Sequence, residues 1–300
     1  MRLVYLGTPI DAVAPLRALV HVGHDVALVV TQPDRRRRRG SGTDPSPVKQ
    51  AAEELGLRVA TPLKAREVVD EVRESGAELG VAVAFGQLLP PALLEVLPLG
   101  FVNLHFSLLP RWRGAAPVER AMLAGDAETG VCLMRIDEGL DTGAVFGSVA
   151  TPIHAEETAG QLHERLVELG TELLLDELPK VATATPVEQV GEPTYAAKLD
   201  VDEFAIDWSR PSAAIDRVIR AGNPRPGAWT TAGGHRLKVW RALPSDEAIV
   251  GPPGTVSGDG LVATGDGALE LVEVQPEAKA RMPVRAWLAG HHLDGPLGTG

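Results

Sequence analysis

The chain has 300 residues, 44% of them apolar, and a single cysteine, Cys132. That is enough length for two domains with a large buried core, and one thiol excludes both an internal disulfide framework and a thiolate zinc cluster. The net charge of −11 would weigh against a nucleic-acid partner if it were evenly spread, but residues 206–300 hold ten basic and ten acidic side chains, so the whole acidic excess falls in residues 1–205.

The opening MRLVYLGTP offers four apolar residues before a Gly and Pro turn, too few for a signal core, and no apolar run is long enough to cross a bilayer. The expectation is a cytoplasmic protein without membrane contact. RLVYLG predicts a first strand, residues 11–22 a helix stopped by Gly23, and DVALVV a second strand. Five consecutive arginines follow, Arg35, Arg36, Arg37, Arg38 and Arg39, and then Gly40, Ser41 and Gly42. On its own such a run reads as a solvated loop. Residues 46–55 predict a helix with Pro47 in its first turn, LRVATP a short strand, 65–75 a helix, LGVAVAF a buried strand and 91–96 a short helix. FVNLHF then supplies a central strand. Strands alternating with helices imply an α/β fold, a doubly wound, mainly parallel, Rossmann-like sheet. Its first turn, LGTPIDAV, lacks the three-glycine spacing of a dinucleotide site.

A helix over 116–124, a strand pair VCLMRI and AVFGSVATPI, and a long helix over 158–178 come next, the last with Leu162, Leu166, Leu169 and Leu173 at helical spacing. Cys132, inside VCLM, reads as a small buried hydrophobe. Residues 179–207 lose periodicity and contain Pro186 and Pro193. After a helix over 212–221, short apolar runs separated by Gly, Pro and Asp predict a small OB-like β-barrel, a frequent nucleic-acid module. The division is therefore a first domain over 1–185, a linker over 186–207 and a second domain over 208–300. His291 and His292, in a Gly-rich tail, read as solvated, and no metal site is expected.

The chemistry concentrates in FVNLHFSLLPRWRGAAP (101–117) and IDEGLDTG (136–143). In a strand, Phe101, Asn103 and His105 share one face, and Val102, Leu104 and Phe106 the other. Asn103 and His105 then lie at a strand's carboxyl end, where open parallel sheets bind ligands. Asp141, in a Gly-flanked turn, is placed to orient the imidazole. Each has a plain structural alternative: Asn103 as a strand-end cap, His105 as a satisfied core histidine, Asp141 as a turn former. The tripeptide Asp141, Thr142, Gly143 also matches that of aspartic proteases, which need two such carboxylates where this chain has one.

NLHFSLLPRWRGAAP with DEGLDTG resembles the signature of the folate-dependent formyltransferases. LGTP at Leu6, TQPDR at Thr31, SPVKQ at Ser46, AFGQLLP at Ala84 and RAGNPRPGAW at Arg220 follow in that family's order. The resemblance spans the whole chain. It implies transfer of a formyl group from 10-formyltetrahydrofolate to an amine, with Asn103 and a protonated His105 facing the oxyanion and Asp141 stabilising the imidazolium and helping to take the amine proton. It places Phe85, Gly86, Leu88, Ser107, Leu108, Leu109 and Pro110 around the folate, with Arg111 and Arg113 near the entrance, and needs no metal. The acceptor it implies is the α-amino group of methionyl initiator tRNA, for translation initiation, with residues 1–185 catalytic, 208–300 tRNA-binding, Arg35 to Arg39 approaching the acceptor end, and a monomeric protein. Alternatives are an amino sugar on a nucleotide carrier, glycinamide ribonucleotide, whose enzyme consists of the first domain alone, or a non-catalytic RNA-binding protein on the same scaffold. Gly222 and Arg225 depart from the family, which commonly has aromatic residues there.

Overall fold

The computed structural model describes residues 1–36, 42–247, 249–291, 293 and 295–298, with Arg35 and Arg36 described by backbone alone. The residues group into two compact units, neither contiguous in sequence: 1–117, 128–152 and 163–197 in the first, and 118–127, 153–162 and 198 onward in the second. Residues 186–197, expected in a linker, therefore pack within the first unit.

In chain order the first unit contains β1 (Arg2–Gly7), β2 (Asp25–Val30), β3 (Arg35–Arg36), β4 (Thr43–Asp44), β5 (Val59–Ala60), β6 (Leu79–Val83), β7 (Phe101–His105), β8 (Arg113–Gly114), β9 (Glu128–Arg135), β10 (Val145–Pro152) and β11 (Tyr195–Ala196). Seven of these form one sheet in the order β10-β9-β7-β6-β1-β2-β5. It is parallel from β7 to β5 and antiparallel at β9 and β10. β3 pairs with β4, and β8 with β11, in separate two-stranded ladders. β1 and β6 are unbroken apolar runs because layers cover both faces: Leu3 to Leu6 and Leu79 to Val83 are buried throughout.

The expected helices appear as α1 (Val13–His21), α2 (Pro47–Glu54), α3 (Val69–Glu74), α4 (Pro91–Leu94), α5 (Pro117–Ala124) and α6 (Ala159–Glu177). Ser46 caps α2, its Oγ accepting from the Lys49 N–H at 3.0 Å, and Pro47 takes the first helical position, where a missing N–H costs nothing. Along α6 the buried positions recur every four residues as Leu162, Leu166, Gly170 and Leu174, so the expected Leu162 and Leu166 are in the row while the expected Leu169 and Leu173 are only half-buried. Gly170 sets that row. A Cβ there would lie 2.9 Å from Leu104 Cδ2 and 3.1 Å from Val131 Cγ1, so the helix packs closely on β7 and β9.

The second unit carries β12 (Ala228–Ala232), β13 (His235–Ser245), β14 (Leu261–Ala263), β15 (Ala268–Pro276) and β16 (Met282–Pro283) with α7 (Ser212–Ala221) and α8 (Val284–Ala289). These strands make an antiparallel sheet in the order β12-β13-β15-β14, with β16 added to β15. α8 was not expected. Six residues are too few to show a period, although Trp287 within it is almost fully buried. At Gly222 a Cβ would meet Phe204 Cδ1 at 2.8 Å and Ala228 N at 2.9 Å, so in this chain Phe204 occupies the space a larger residue would need. Among the described residues no helix is long and apolar enough to cross a membrane.

Phe101 begins the strand that ends at His105, and its ring lies across Gly80, its register partner on β6. A Cβ at position 80 would come within 2.0 Å of that ring. Gly80→Ala is therefore expected to destabilise the protein by about 1–3 kcal/mol through overpacking, read as a lower urea midpoint at unchanged m-value.

Candidate active site

Because β6 and β7 are parallel neighbours, with Val83 opposite Leu104, the loops after them leave the sheet at the same end. The AFGQLLP loop follows β6 and the SLLPRWRG loop follows β7, and the alternation of β7 presents Asn103 and His105 between them. Asn103 is half-buried, and no described residue engages its amide. His105 is 5% exposed and fully committed on one side. Its Nε2 lies 3.0 Å from the carbonyl oxygen of Trp112, and a carbonyl only accepts, so this contact places a proton on Nε2. Nδ1 faces Asp141 Oδ2 at 3.7 Å, beyond a hydrogen bond but within ion-pair range. The same Oδ2 accepts from the Gly114 N–H at 2.8 Å. The structure thus brings Asn103, His105 and Asp141 into one site, and it leaves Nδ1 as the imidazole nitrogen open to further chemistry.

The loop that holds this geometry is strained and heavily bonded. Trp112 has φ +63°, a left-handed conformation that costs a bulky residue about 1–3 kcal/mol. Against it stand the Trp112 N–H to Thr194 Oγ1 (2.9 Å), the Arg113 N–H to Thr194 O (2.9 Å), the Ala115 N–H to Ala196 O (2.8 Å) and the His105 and Gly114 bonds already named. At about 0.5–1.5 kcal/mol net each, these five outweigh the strain. Gly114 has φ +124°, and a Cβ there would sit 2.7 Å from Ala196 O, so no other residue fits.

Asp141 is itself left-handed, at φ +51°, which aspartate tolerates better than most residues. Its backbone carbonyl and that of Gly143 accept from Gln189 Nε2 at 2.9 and 2.8 Å. Gln189 Oε1 in turn accepts from Arg113 Nε at 3.1 Å and Nη2 at 2.6 Å. Neither Gln189 nor Thr194 is signalled by the sequence, in which this non-periodic, Pro-containing stretch has the character of a linker. What holds it here is polar and backbone bonding, which leaves no periodic trace.

Of the residues expected around the folate, Phe85 is buried in the core beside Val4, Leu6 and Phe101, and its carbonyl accepts from Thr8 Oγ1 at 3.1 Å and Gln32 Nε2 at 3.0 Å. Gly86 follows at φ +79°, and Leu88 is 77% exposed. Ser107 is fully buried, with Oγ donating to Arg111 O at 2.6 Å, while Leu108, Leu109 and Pro110 are half-buried. Uncovered leucines beside backbone amides and carbonyls fit a flat ring with a polar edge. Arg111 stacks 4.5 Å over the Trp112 ring. Arg37, Arg38 and Arg39 lie outside the described residues, as do the side chains of Arg35 and Arg36. The root of that loop is tied by Thr31 Oγ1 to Ser46 Oγ (2.7 Å) and by Lys49 Nζ to both Asp34 oxygens (2.9 Å).

Residues 1–178 match the family described as formyl transferase, and residues 198–292 match the formyl transferase C-terminal domain. The chain belongs to the formyl transferase family. A relative named methionyl-tRNA formyltransferase, from Symbiobacterium thermophilum, is 47% identical over 97% of this chain and 92% of its own. Among solved members of the formyl transferase fold, an N-formyltransferase from Helicobacter canadensis, in complex with folinic acid and dTDP-3-aminofucose, superposes with TM-score 0.69 at 20% identity over 91% of this chain and 98% of that one. HypX from Aquifex aeolicus superposes with TM-score 0.69 at 19% identity over 98% of this chain, which spans about half (49%) of HypX.

Cys132 lies opposite His105 in the β7–β9 ladder. Burial pushes its thiol up to about 11, against a smaller opposing effect of a hydrogen bond to the Leu109 backbone. At pH 8 such a thiol is about 0.1% thiolate. The native protein is therefore expected to resist a thiol-specific reagent that labels the urea-unfolded chain within minutes, and rapid native labelling would show Cys132 to be accessible.

Proposed function

We propose that this formyl transferase moves a formyl group from 10-formyltetrahydrofolate to the α-amino group of methionyl initiator tRNA, as a cytoplasmic enzyme of translation initiation. The observation that carries the acceptor is the near full-length identity to a methionyl-tRNA formyltransferase, with both the catalytic and the C-terminal family regions present. The first unit, through residue 197, acts as the catalytic part and residues 208–300 of the second as the tRNA-binding part, with Arg35 to Arg39 pairing to phosphates near the acceptor end.

10-Formyltetrahydrofolate supplies the formyl carbon as co-substrate. Leu88, Leu108, Leu109 and Pro110 cover the faces of its ring, and the backbone from Gly86 and from Ser107 bonds its polar edge. As the amine adds to the formyl carbon, negative charge develops on the formyl oxygen and positive charge on the amine nitrogen. Asn103, whose amide no described residue holds, donates to that oxygen. His105 keeps its Nε2 proton on Trp112 and works through Nδ1: in place of the oxyanion contact that the resemblance implies, it takes the amine proton directly or through water, with Asp141 stabilising the imidazolium. The proton returns to the folate nitrogen as its bond to the formyl carbon breaks.

Removing one oxyanion donor typically costs about 2.7–4 kcal/mol in the barrier. Asn103→Ala is expected to lower turnover by about two to three orders of magnitude, and Asp141→Asn at least as much; near-normal turnover in either variant would remove that residue's role. The acceptor is tested by offering charged initiator tRNA beside a nucleotide-linked amino sugar and glycinamide ribonucleotide. Fastest formation of formylmethionyl-tRNA, weakened by deletion of Arg35 to Arg39 with folate binding spared, is the expected result. Formylation of a small amine alone would keep the catalytic residues and overturn the acceptor.

A further inference from the structure

We propose that Gln189 is a positioning residue of this site, an inference that rests on the role given to Asp141. Its side-chain amide is used at both ends: Nε2 donates to the carbonyls of Asp141 (2.9 Å) and Gly143 (2.8 Å), and Oε1 accepts from Nε (3.1 Å) and Nη2 (2.6 Å) of Arg113. A primary amide has two protons to give and two lone pairs to receive, so every hydrogen-bonding position of Gln189 is filled. Ionised glutamate has no donor, lysine no acceptor, and asparagine is one methylene shorter.

The contacts reach two loops of the site that are separate in sequence. In one is the left-handed Asp141, whose carboxylate direction follows from its backbone, and in the other is Arg113, the residue after the carbonyl that fixes His105. Gln189 therefore joins the loop that sets Nε2 of His105 to the loop that brings Asp141 Oδ2 within 3.7 Å of Nδ1. Packing does not explain its place. Val187, Glu188 and Val190 around it are exposed, so an apolar anchor is lacking at this point of the segment, and the amide holds the two loops in register. Loss of the amide frees the Asp141 backbone and the Arg113 guanidinium together and leaves the Gly114 N–H as the one hydrogen bond, among the described residues, that holds the Asp141 carboxylate beside His105.

The test uses the full-length protein with 10-formyltetrahydrofolate and methionyl initiator tRNA, comparing Gln189→Leu, Gln189→Glu and Asp141→Asn with the parent. Gln189→Leu is expected to lower kcat between about tenfold and about a hundredfold, the range a misplaced catalytic group produces, with KM for both substrates within about threefold. Gln189→Glu separates positioning from a merely structural role. Protonated, the introduced carboxyl can donate to the Asp141 or Gly143 carbonyl; ionised, it cannot. An ordinary glutamate ionises at about pH 4.3, and Arg113 holds it ionised. From about pH 6 to about pH 8 this variant therefore keeps the Arg113 contact and loses both donors to Asp141 and Gly143. Its kcat is expected to fall at least about tenfold, with KM for both substrates within about threefold and thermal stability kept. The charged groups around that position are Arg113, which favours the ionised form, Asp141 and His105 across the site, and Glu188 and Glu192 on its own segment. If Asp141→Asn is inactive while both Gln189 variants turn over like the parent, the inference falls and the site assignment stands. If Asp141→Asn is active, both fall. Turnover in Gln189→Glu that is lost only in step with thermal stability would also overturn the positioning role, and this variant decides the matter if Gln189→Leu does not fold.

Discussion

A carbonyl oxygen cannot donate a hydrogen bond, and the site depends on that constraint. Trp112 O lies 3.0 Å from His105 Nε2, so one imidazole proton is fixed where no substrate needs it and the reactive nitrogen is chosen as Nδ1. Asp141 then stands on the side of the ring where a second proton would be held. The same peptide unit runs on through Arg113 to Gly114, whose N–H fixes the Asp141 carboxylate. Orientation of the base and placement of its carboxylate are thus two results of one loop conformation.

That conformation is sustained from outside the loop. A left-handed Trp112 followed by a Gly114 with no room for a Cβ is unfavourable locally, and it persists because Thr194, Ala196 and Gln189 supply partners from a segment far away in sequence. Below it, β7 is pressed between Gly80 on its β6 neighbour and Gly170 of α6, so the strand that carries Asn103 and His105 has little freedom to shift. A rigid strand and a strained loop meet at the imidazole. This is the preorganisation expected where developing charges must be met without rearrangement.

Much of this was legible in the residues. Period-two alternation put Asn103 and His105 on one face of β7, unbroken apolar runs identified the parallel strands, and a Gly-flanked aspartate marked the third member. Periodicity did not reveal what the backbone does. The stretch from Val187 to Ala196 looks like a linker because its role is carried by main-chain bonds, one amide and one hydroxyl, none of which repeats along a sequence. The choice between the two imidazole nitrogens was equally hidden, since it depends on the direction of the Trp112 carbonyl. On α6, the leucines at 169 and 173 fitted a helical spacing as well as the true row did, and Gly170 decided between them by letting the sheet approach. α8 is simply too short to announce itself.

The most direct measurement of the central claim is the protonation site of His105 itself, by nitrogen NMR of histidine-labelled protein with the signal assigned by its loss in His105→Asn. The account requires the neutral ring to carry its proton on Nε2 and to add the second on Nδ1, beside Asp141. A neutral ring protonated on Nδ1 would mean that Trp112 does not hold the imidazole in solution, and the assignment of roles built on that bond would be wrong.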